Sequence, residues 1–316
     1  MVALENNMIN KFHQGNSLEF LKTIDSETID CSVSSPPYYK LRNYNADGQI
    51  GQEETYSDYI SNLILIYNEI YRVLKPSGTC FVNLGDSFNA NKSGNTNPWY
   101  SKSNTNNTFL NKSKVNDIGL KSLMLLPERF AIEMVNSGWI LRNKIIWHKP
   151  NQMPQSSNDR FTVDFENIFF FTKKSKDYYF EKQIEPYTTP INRWGGSNIT
   201  KSENSIWDSM TGHNMNRDRN NRPNPEGRNM RTVWSINTEP SGFEHCATFP
   251  LNLAKRMIKT GCPQGGIVID PFMGTGTTAQ AALELDRNFV GIDINPDYVK
   301  YSNDRIKTII NSKKFY

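Results

Sequence analysis

Cysteine and histidine are scarce, four of each in 316 residues. Cys31, Cys80, Cys246 and Cys262 show no Cys-x-x-Cys spacing and the histidines form no ligand pair, so neither a disulfide framework nor a metal site is indicated. Buried free thiols are the expectation. No apolar run approaches the length that crosses a bilayer, and Met1-Val2-Ala3-Leu4-Glu5-Asn6 does not read as a secretory signal. The expectation is a cytoplasmic protein with no membrane partner. A strong excess of charge is also lacking: the net charge is +4 and the pI near 8.7, too mild to establish a nucleic-acid partner without local clustering. Two nucleotide signatures are missing as well. No segment reads Gly-x-x-x-x-Gly-Lys-Ser/Thr, and Ala279 stands where a Gly-x-Gly-x-x-Gly run would place its third glycine after Gly276. A P-loop is unsupported and dinucleotide binding is not favoured. The length leaves room for one full core plus an inserted module.

What is present begins near the end of the chain. Ile267 to Ile269 is a β-branched run suited to a buried parallel strand, followed by Asp270-Pro271-Phe272-Met273-Gly274-Thr275-Gly276-Thr277-Thr278. Gly274 and Gly276 allow a tight turn with close backbone approach to a ligand, and Thr277 to Leu285 has the composition of a helix. Strand, glycine turn and helix leave free backbone N–H groups at a strand's carboxyl end, where open α/β sheets bind ligands. Phe289 to Asp293 reads as a second strand ending in an acid, placed to accept hydrogen bonds from ribose hydroxyls.

A second constellation lies near the start. Ile29 to Ser34 reads as a strand with alternating apolar side chains, and Ser35-Pro36-Pro37-Tyr38 follows it. Two consecutive prolines cannot donate to a ladder and fix their own φ angles, so the backbone leaves the sheet in a rigid bend with free carbonyls. Ser35 adds a neutral hydroxyl and Tyr38 a flat ring, together able to hold an amino group and stack the base that carries it.

These two segments resemble the catalytic and S-adenosylmethionine-binding motifs of amino-group DNA methyltransferases, in the circularly permuted order called the β class. Other segments match in family order across nearly the whole chain. They include Gln49-Ile50-Gly51, Leu84-Gly85-Asp86-Ser87, Ile146-Trp147-His148-Lys149-Pro150, Asp159-Arg160-Phe161-Thr162 and Ala247-Thr248-Phe249-Pro250. The resemblance implies a Rossmann-like α/β fold with a mixed, mostly parallel sheet and an inserted target-recognition region. It implies S-adenosylmethionine as cofactor, with Asp270, Pro271, Phe272, Gly274, Gly276, Thr277 and Asp293 around it, Phe249 packed beside the donor site and Thr248 near its methionine end. Asn16 stands where family members usually carry an acid facing adenine, and its amide can accept from the adenine amino group. Duplex DNA is the implied substrate. A cognate restriction endonuclease and a homodimer are the partners left open.

Along the chain, Lys11 to Gln14 reads as a strand, Ser17 to Ile24 as a helix, Tyr56 to Leu74 as a helix stopped by Pro76-Ser77-Gly78, and Thr79 to Leu84 as a buried strand. Lys144 to Trp147 and Glu166 to Thr172 continue the sheet, with some antiparallel strands expected. Residues 87–118 are rich in Asn and Ser and read as a long loop within a catalytic domain formed by 1–185 and 233–316. Residues 186–232 interleave Arg193, Arg217, Arg219, Arg222 and Arg228 with tryptophan and asparagine, types that pair with phosphates and base edges, and the resemblance implies that this stretch is the target-recognition region.

The expected chemistry is transfer to an exocyclic amino group of a flipped base, stacked by Tyr38 and held by the Pro36 carbonyl and Ser35. A cytosine-C5 enzyme would need a cysteine nucleophile, typically in a Pro-Cys pair, which this chain lacks. In the family, Ser before Pro-Pro goes mainly with cytosine N4 and Asp with adenine N6, so N4 is the choice and N6-adenine the alternative. An RNA or protein methyltransferase, a nonenzymatic DNA-binding module and a Rossmann dehydrogenase are the remaining readings.

Overall fold

The computed structural model describes residues 8–44, 46–89, 117–187, 226–239 and 249–313. Its contacts divide into two compact units, one formed by Met1–Glu181 with Thr232–Tyr316 and the other by Lys182–Arg231.

The larger unit is built on an eight-stranded sheet. In chain order its described elements are β1 (Lys11–Gln14), α1 (Ser17–Lys22), β2 (Ile29–Ser34), α2 (Tyr56–Val73), β3 (Leu74–Leu84), α3 (Leu126–Asn136), β4 (Ile140–His148) and β5 (Phe165–Thr172). The smaller unit holds a two-residue pair, β6 (Ile184–Glu185) and β7 (Arg228–Asn229), and the larger resumes with β8 (Val233–Ser235), α4 (Leu251–Gly261), β9 (Ile267–Asp270), α5 (Thr277–Glu284), β10 (Asn288–Asp293) and α6 (Pro296–Lys313). The sheet order is β1-β10-β9-β2-β3-β5-β4-β8. Strands β1 to β3 in that order run parallel, β5 is antiparallel to both neighbours, and β8 is parallel to β4. The expected mixed, mostly parallel α/β sheet is therefore the one found.

β2 is buried at all six positions, not only at the alternating apolar ones. Two of its polar residues are satisfied from both sides: Asp30 accepts from Lys75 Nζ and the Ile267 N–H, and Ser34 Oγ shares a 2.9 Å bond with Tyr67 Oη, whereas the buried Ser32 Oγ has no hydrogen-bond partner among the described residues. A central strand covered on both faces does not need to alternate. The proline that was expected to end the helix lies inside the next element instead. α2 stops at Val73, β3 begins at once, and Lys75–Gly78 bulge out of the ladder between the Ile29–Leu74 and Cys31–Thr79 pairs. Placing the proline in the bulge means no ladder bond is lost to it.

Alternation along β3 separates the two helical layers. Cys80, Val82 and Leu84 join the core under α1, α2 and α3, whereas Thr79 and Phe81 face Gly261 at the end of α4. A Cβ at Gly261 would stand 2.4 Å from Thr79 Oγ1 and 2.6 Å from Phe81 Cε2. Gly261→Ala is expected to destabilise by roughly 1–3 kcal/mol through overpacking. Denaturant midpoints would register it, and an unchanged midpoint would show that α4 slides freely over the sheet. Cys31, Cys80 and Cys262 are buried and free, and burial pushes their thiols well up from the ordinary range. No described helix is long and apolar enough to cross a membrane.

Because α2 and α5 leave β2 and β9 on opposite faces, a crevice opens between these adjacent strand ends, as doubly wound sheets require. The ends of β1, β2, β3, β4, β9 and β10 all reach this edge, and so does the start of antiparallel β5.

Candidate active site

Two cavities meet at this edge. The first, with about 870 Å³ of space open partly to solvent, runs over the ends of β1, β9 and β10 past Asn16, Asp270, Gly274 and Asp293. The second, with about 780 Å³, lies over the ends of β3 and β4 beside Asn83, Trp147, Lys149 and Glu166. Ser35, Tyr44 and Phe249 line both.

The first cavity is shaped by a loop that two carboxylates hold. Asp270 Oδ1 accepts from the Phe272 N–H at 2.9 Å and Oδ2 from Thr278 Oγ1 at 2.6 Å. Asp293 Oδ2 accepts from the Gly274 N–H and Oδ1 from the Asn295 N–H, both at 2.8 Å. Gly274 and Gly276 both take positive φ, +52° and +84°, which L side chains rarely adopt. Gly276 starts α5, whose first turn has no side-chain cap, so its N–H groups stay available. A Cβ at Gly274 would meet nothing within 4 Å: the loop faces open space.

Burial raises the Asp270 carboxyl to about 7 and Asp293 to about 6, against the hydrogen bonds that favour their charged forms. Carboxyls raised in the folded state contribute stability that is present below the unfolded value near 3.8 and is lost as pH rises through 6 to 7. Asp270→Asn, which keeps the shape without the charge, is expected to be more stable than wild type at pH 8 and to lose that advantage by pH 5. Urea unfolding at the two pH values measures it, and a difference independent of pH would contradict the assignment.

Asn16 lines the cavity, but its Oδ1 caps α1, accepting from the Leu18 N–H at 2.9 Å and the Glu19 N–H at 3.3 Å. That carbonyl oxygen is the atom the sequence reading gave to adenine. An N-cap site favours asparagine for its own reasons. Pro271, Phe272 and Thr277 stand on the wall, and Phe249, 9% exposed, stands between the cavities.

Beside the second cavity the tetrapeptide is pinned by side-chain hydrogen bonds. Tyr59 Oη donates to the Pro37 carbonyl at 2.9 Å, and Pro36 is buried. Tyr38 Oη donates to Glu166 Oε2 at 2.6 Å, and Asn83 Nδ2 donates to the same oxygen at 2.7 Å. Ser35 Oγ has only long contacts, 3.5 Å to Tyr38 Oη and 3.4 Å from Asn83 Nδ2.

The chain matches the N6/N4 DNA methylase family over residues 29–304. It belongs to that family. The methylase is 36% identical to the Type II methyltransferase M.SmaI of Serratia marcescens over 96% of this chain and 93% of the relative. It is 33% identical to M.Cfr9I of Citrobacter freundii over 93% and 86%. Among solved structures, the PvuII DNA methyltransferase (cytosine-N4-specific) superposes with a TM-score of 0.59 at 17% identity, covering 92% of the methylase and 84% of that chain. A DNA modification methylase from Thermus thermophilus, complexed with S-adenosyl-L-methionine, gives 0.58 at 23% over 93% and 92%. These two likenesses bear on the Rossmann-like fold.

Of the residues singled out in the sequence, Ser35 to Tyr38, Asn16, Phe249, the Asp270–Thr277 loop and Asp293 converge on one edge of the methylase. Thr248, Arg193, Arg217, Arg219 and Arg222 lie outside the described residues, as do Cys246 and most of the 87–118 loop. Arg228 is described, in β7, where its Nε donates to Glu185 Oε1 at 2.8 Å. Sequence reasoning gave no role to Gln49, Asn83, Lys149 or Glu166. Gln49 and Lys149 sat in the matched segments, and Glu166 is the one charge in the apolar run Phe165–Thr172.

Proposed function

We propose that this DNA methylase transfers a methyl group from S-adenosylmethionine to the exocyclic N4 of cytosine in duplex DNA, on a base flipped out of the helix. The observation that carries this reading is the pair of cavities joined at Ser35 and Phe249, one suited to a nucleoside and the other to a base. The first cavity fits the cofactor on its own chemistry. Gln49 Nε2 is buried on its wall without a hydrogen-bond partner, the Asp293 carboxylate borders it, and the space before Gly274 is open. Asp293 would take the ribose hydroxyls and Phe249 would pack beside the donor. When bound, S-adenosylmethionine supplies an electrophilic methyl carbon on a positively charged sulfur.

The chain's own task is orientation. An exocyclic amino nitrogen is a weak nucleophile because its lone pair is delocalised into the ring. Ser35 Oγ and the Pro36 carbonyl can each accept one amino hydrogen, which turns the nitrogen towards the first cavity. No protein donor bonds the Pro36 carbonyl among the described residues. Trp147 and Phe249 supply apolar surface to the base. The choice of N4 rests on Ser35 before the two prolines. Residues 186–232, most of which fall in the compact unit Lys182–Arg231, are the target-recognition region, on the basic and aromatic composition of that stretch, and a cognate endonuclease fits the Type II relatives.

The test is incubation of the pure protein with labelled S-adenosylmethionine and unmethylated genomic DNA, then mass spectrometry of the nucleosides. N4-methylcytosine is the expected product. N6-methyladenine would keep the mechanism and overturn the base, and transfer to RNA or protein alone would overturn the substrate.

A further inference from the structure

At the start of β5, the Glu166 carboxylate gathers three side chains that come from three other parts of the chain. Tyr38 Oη and Asn83 Nδ2 both donate to its Oε2, at 2.6 and 2.7 Å, and Asn83 Nδ2 also lies 3.0 Å from Tyr38 Oη. Lys149 Nζ pairs with Oε1 and stands 4.5 Å from the centroid of the Trp147 ring. The ion pair is largely withdrawn from water, the side chains of Lys149 and Glu166 keeping 13% and 15% of their exposure. Taking two charges out of water costs several kcal/mol per ion before their attraction offsets it, and apolar replacements are often neutral or stabilising. Stability alone is a poor reason to keep this pair at the wall of a cavity.

Its geometry gives a better reason. The Tyr38 ring lies against Gly85 so closely that a Cβ there would stand 2.6 Å from Cε2. Backbone therefore fixes the flank of the ring, and Glu166 fixes its far end. Burial first, and then the adjacent Glu166 carboxylate, push the Tyr38 phenol well above its ordinary value, so it remains a donor at any working pH. Ser35, three residues back, touches the same hydroxyl at 3.5 Å. A flat ring that swings freely would hold a flipped base loosely, and misplacement by an ångström can cost about 10²-fold in rate.

We propose that Glu166, with Lys149 as its counter-ion, is a positioning residue that acts through the Tyr38 hydroxyl to hold the wall on which the target base is presented. This rests on the methyl-transfer reading above. It makes the hydroxyl of Tyr38, and not only its ring, part of the machinery.

A double-mutant cycle tests it, with single-turnover methylation of genomic DNA and the Kd for S-adenosylmethionine measured on each protein. Tyr38→Phe and Glu166→Ala are each expected to slow transfer by roughly tenfold while the cofactor Kd stays within about twofold. Combined, they should be no slower than the slower single variant, because both remove one contact. Glu166→Gln with Lys149→Met keeps a neutral acceptor for Tyr38 and leaves no unpaired ammonium. It should recover most of the rate lost in Glu166→Ala, and it stands in for that variant if the stranded lysine prevents folding. Multiplying effects in the double variant, or no recovery in the neutral pair, would overturn the role while leaving the enzyme's function intact. Wild-type protein that transfers no methyl group to DNA would overturn both.

Discussion

Ser35→Ala is expected to slow methyl transfer to DNA by about 10²-fold or more while leaving the Kd for S-adenosylmethionine within about twofold. The argument is local. Ser35 Oγ makes no hydrogen bond shorter than 3.4 Å, so the Tyr38–Glu166 cluster draws little support from it. It lines both cavities and carries a neutral acceptor. Losing it leaves the amino group held by one acceptor and free to rotate away from the donor. Single-turnover rates with labelled cofactor decide the matter, and a variant within threefold of wild type would remove Ser35 from the reaction.

For Asp293→Ala the loss should appear in cofactor affinity, by roughly 1–3 kcal/mol, the range for hydrogen bonds to a charged group. Here the carboxylate holds the Gly274 and Asn295 N–H groups and also borders the cavity, so removing it loosens the loop as well as the ligand. Its raised value, about 6, adds a pH signature. Below that pH the group is protonated and a weaker acceptor. Affinity should therefore fall by roughly tenfold between pH 8 and pH 5, and most of that fall should vanish in Asp293→Asn. Calorimetric titration of the cofactor at several pH values measures both, and a wild-type affinity flat with pH would show that Asp293 meets no ligand hydroxyl.

Strands of the parallel half were legible from short β-branched runs or alternating apolar side chains closed by a turn signal, as in β9 and β2, and β1 and β2 fall at the expected residues. The glycine loop and the tetrapeptide were legible for a different reason: each is a backbone shape that few residues can make. Less visible was anything set by tertiary neighbours. Asn16, which carries a functional group suited to adenine, also caps α1 through the Leu18 and Glu19 N–H groups, a local role rather than a tertiary one. Pro76 reads as a helix stop, but the strand simply bulges around it. Glu166 and Lys149 are ordinary charges in sequence, 17 residues apart, and only the antiparallel pairing of β4 with β5 brings them together. Tyr38 read as a free platform because a sequence does not show which acceptor a buried phenol will find.

The sheet order has a consequence for how the protein is made. β9 and β10 are inserted between β1 and β2, strands that leave the ribosome long before them. While synthesis is under way, the Ser35–Tyr38 tetrapeptide hangs from a strand that has β3 on one side but not yet β9 on the other. Both carboxylates that shape the glycine loop arrive with those late strands. A nascent or prematurely terminated chain can thus display the tetrapeptide but has no pocket to supply it, and methylating capacity switches on only when translation has passed β10.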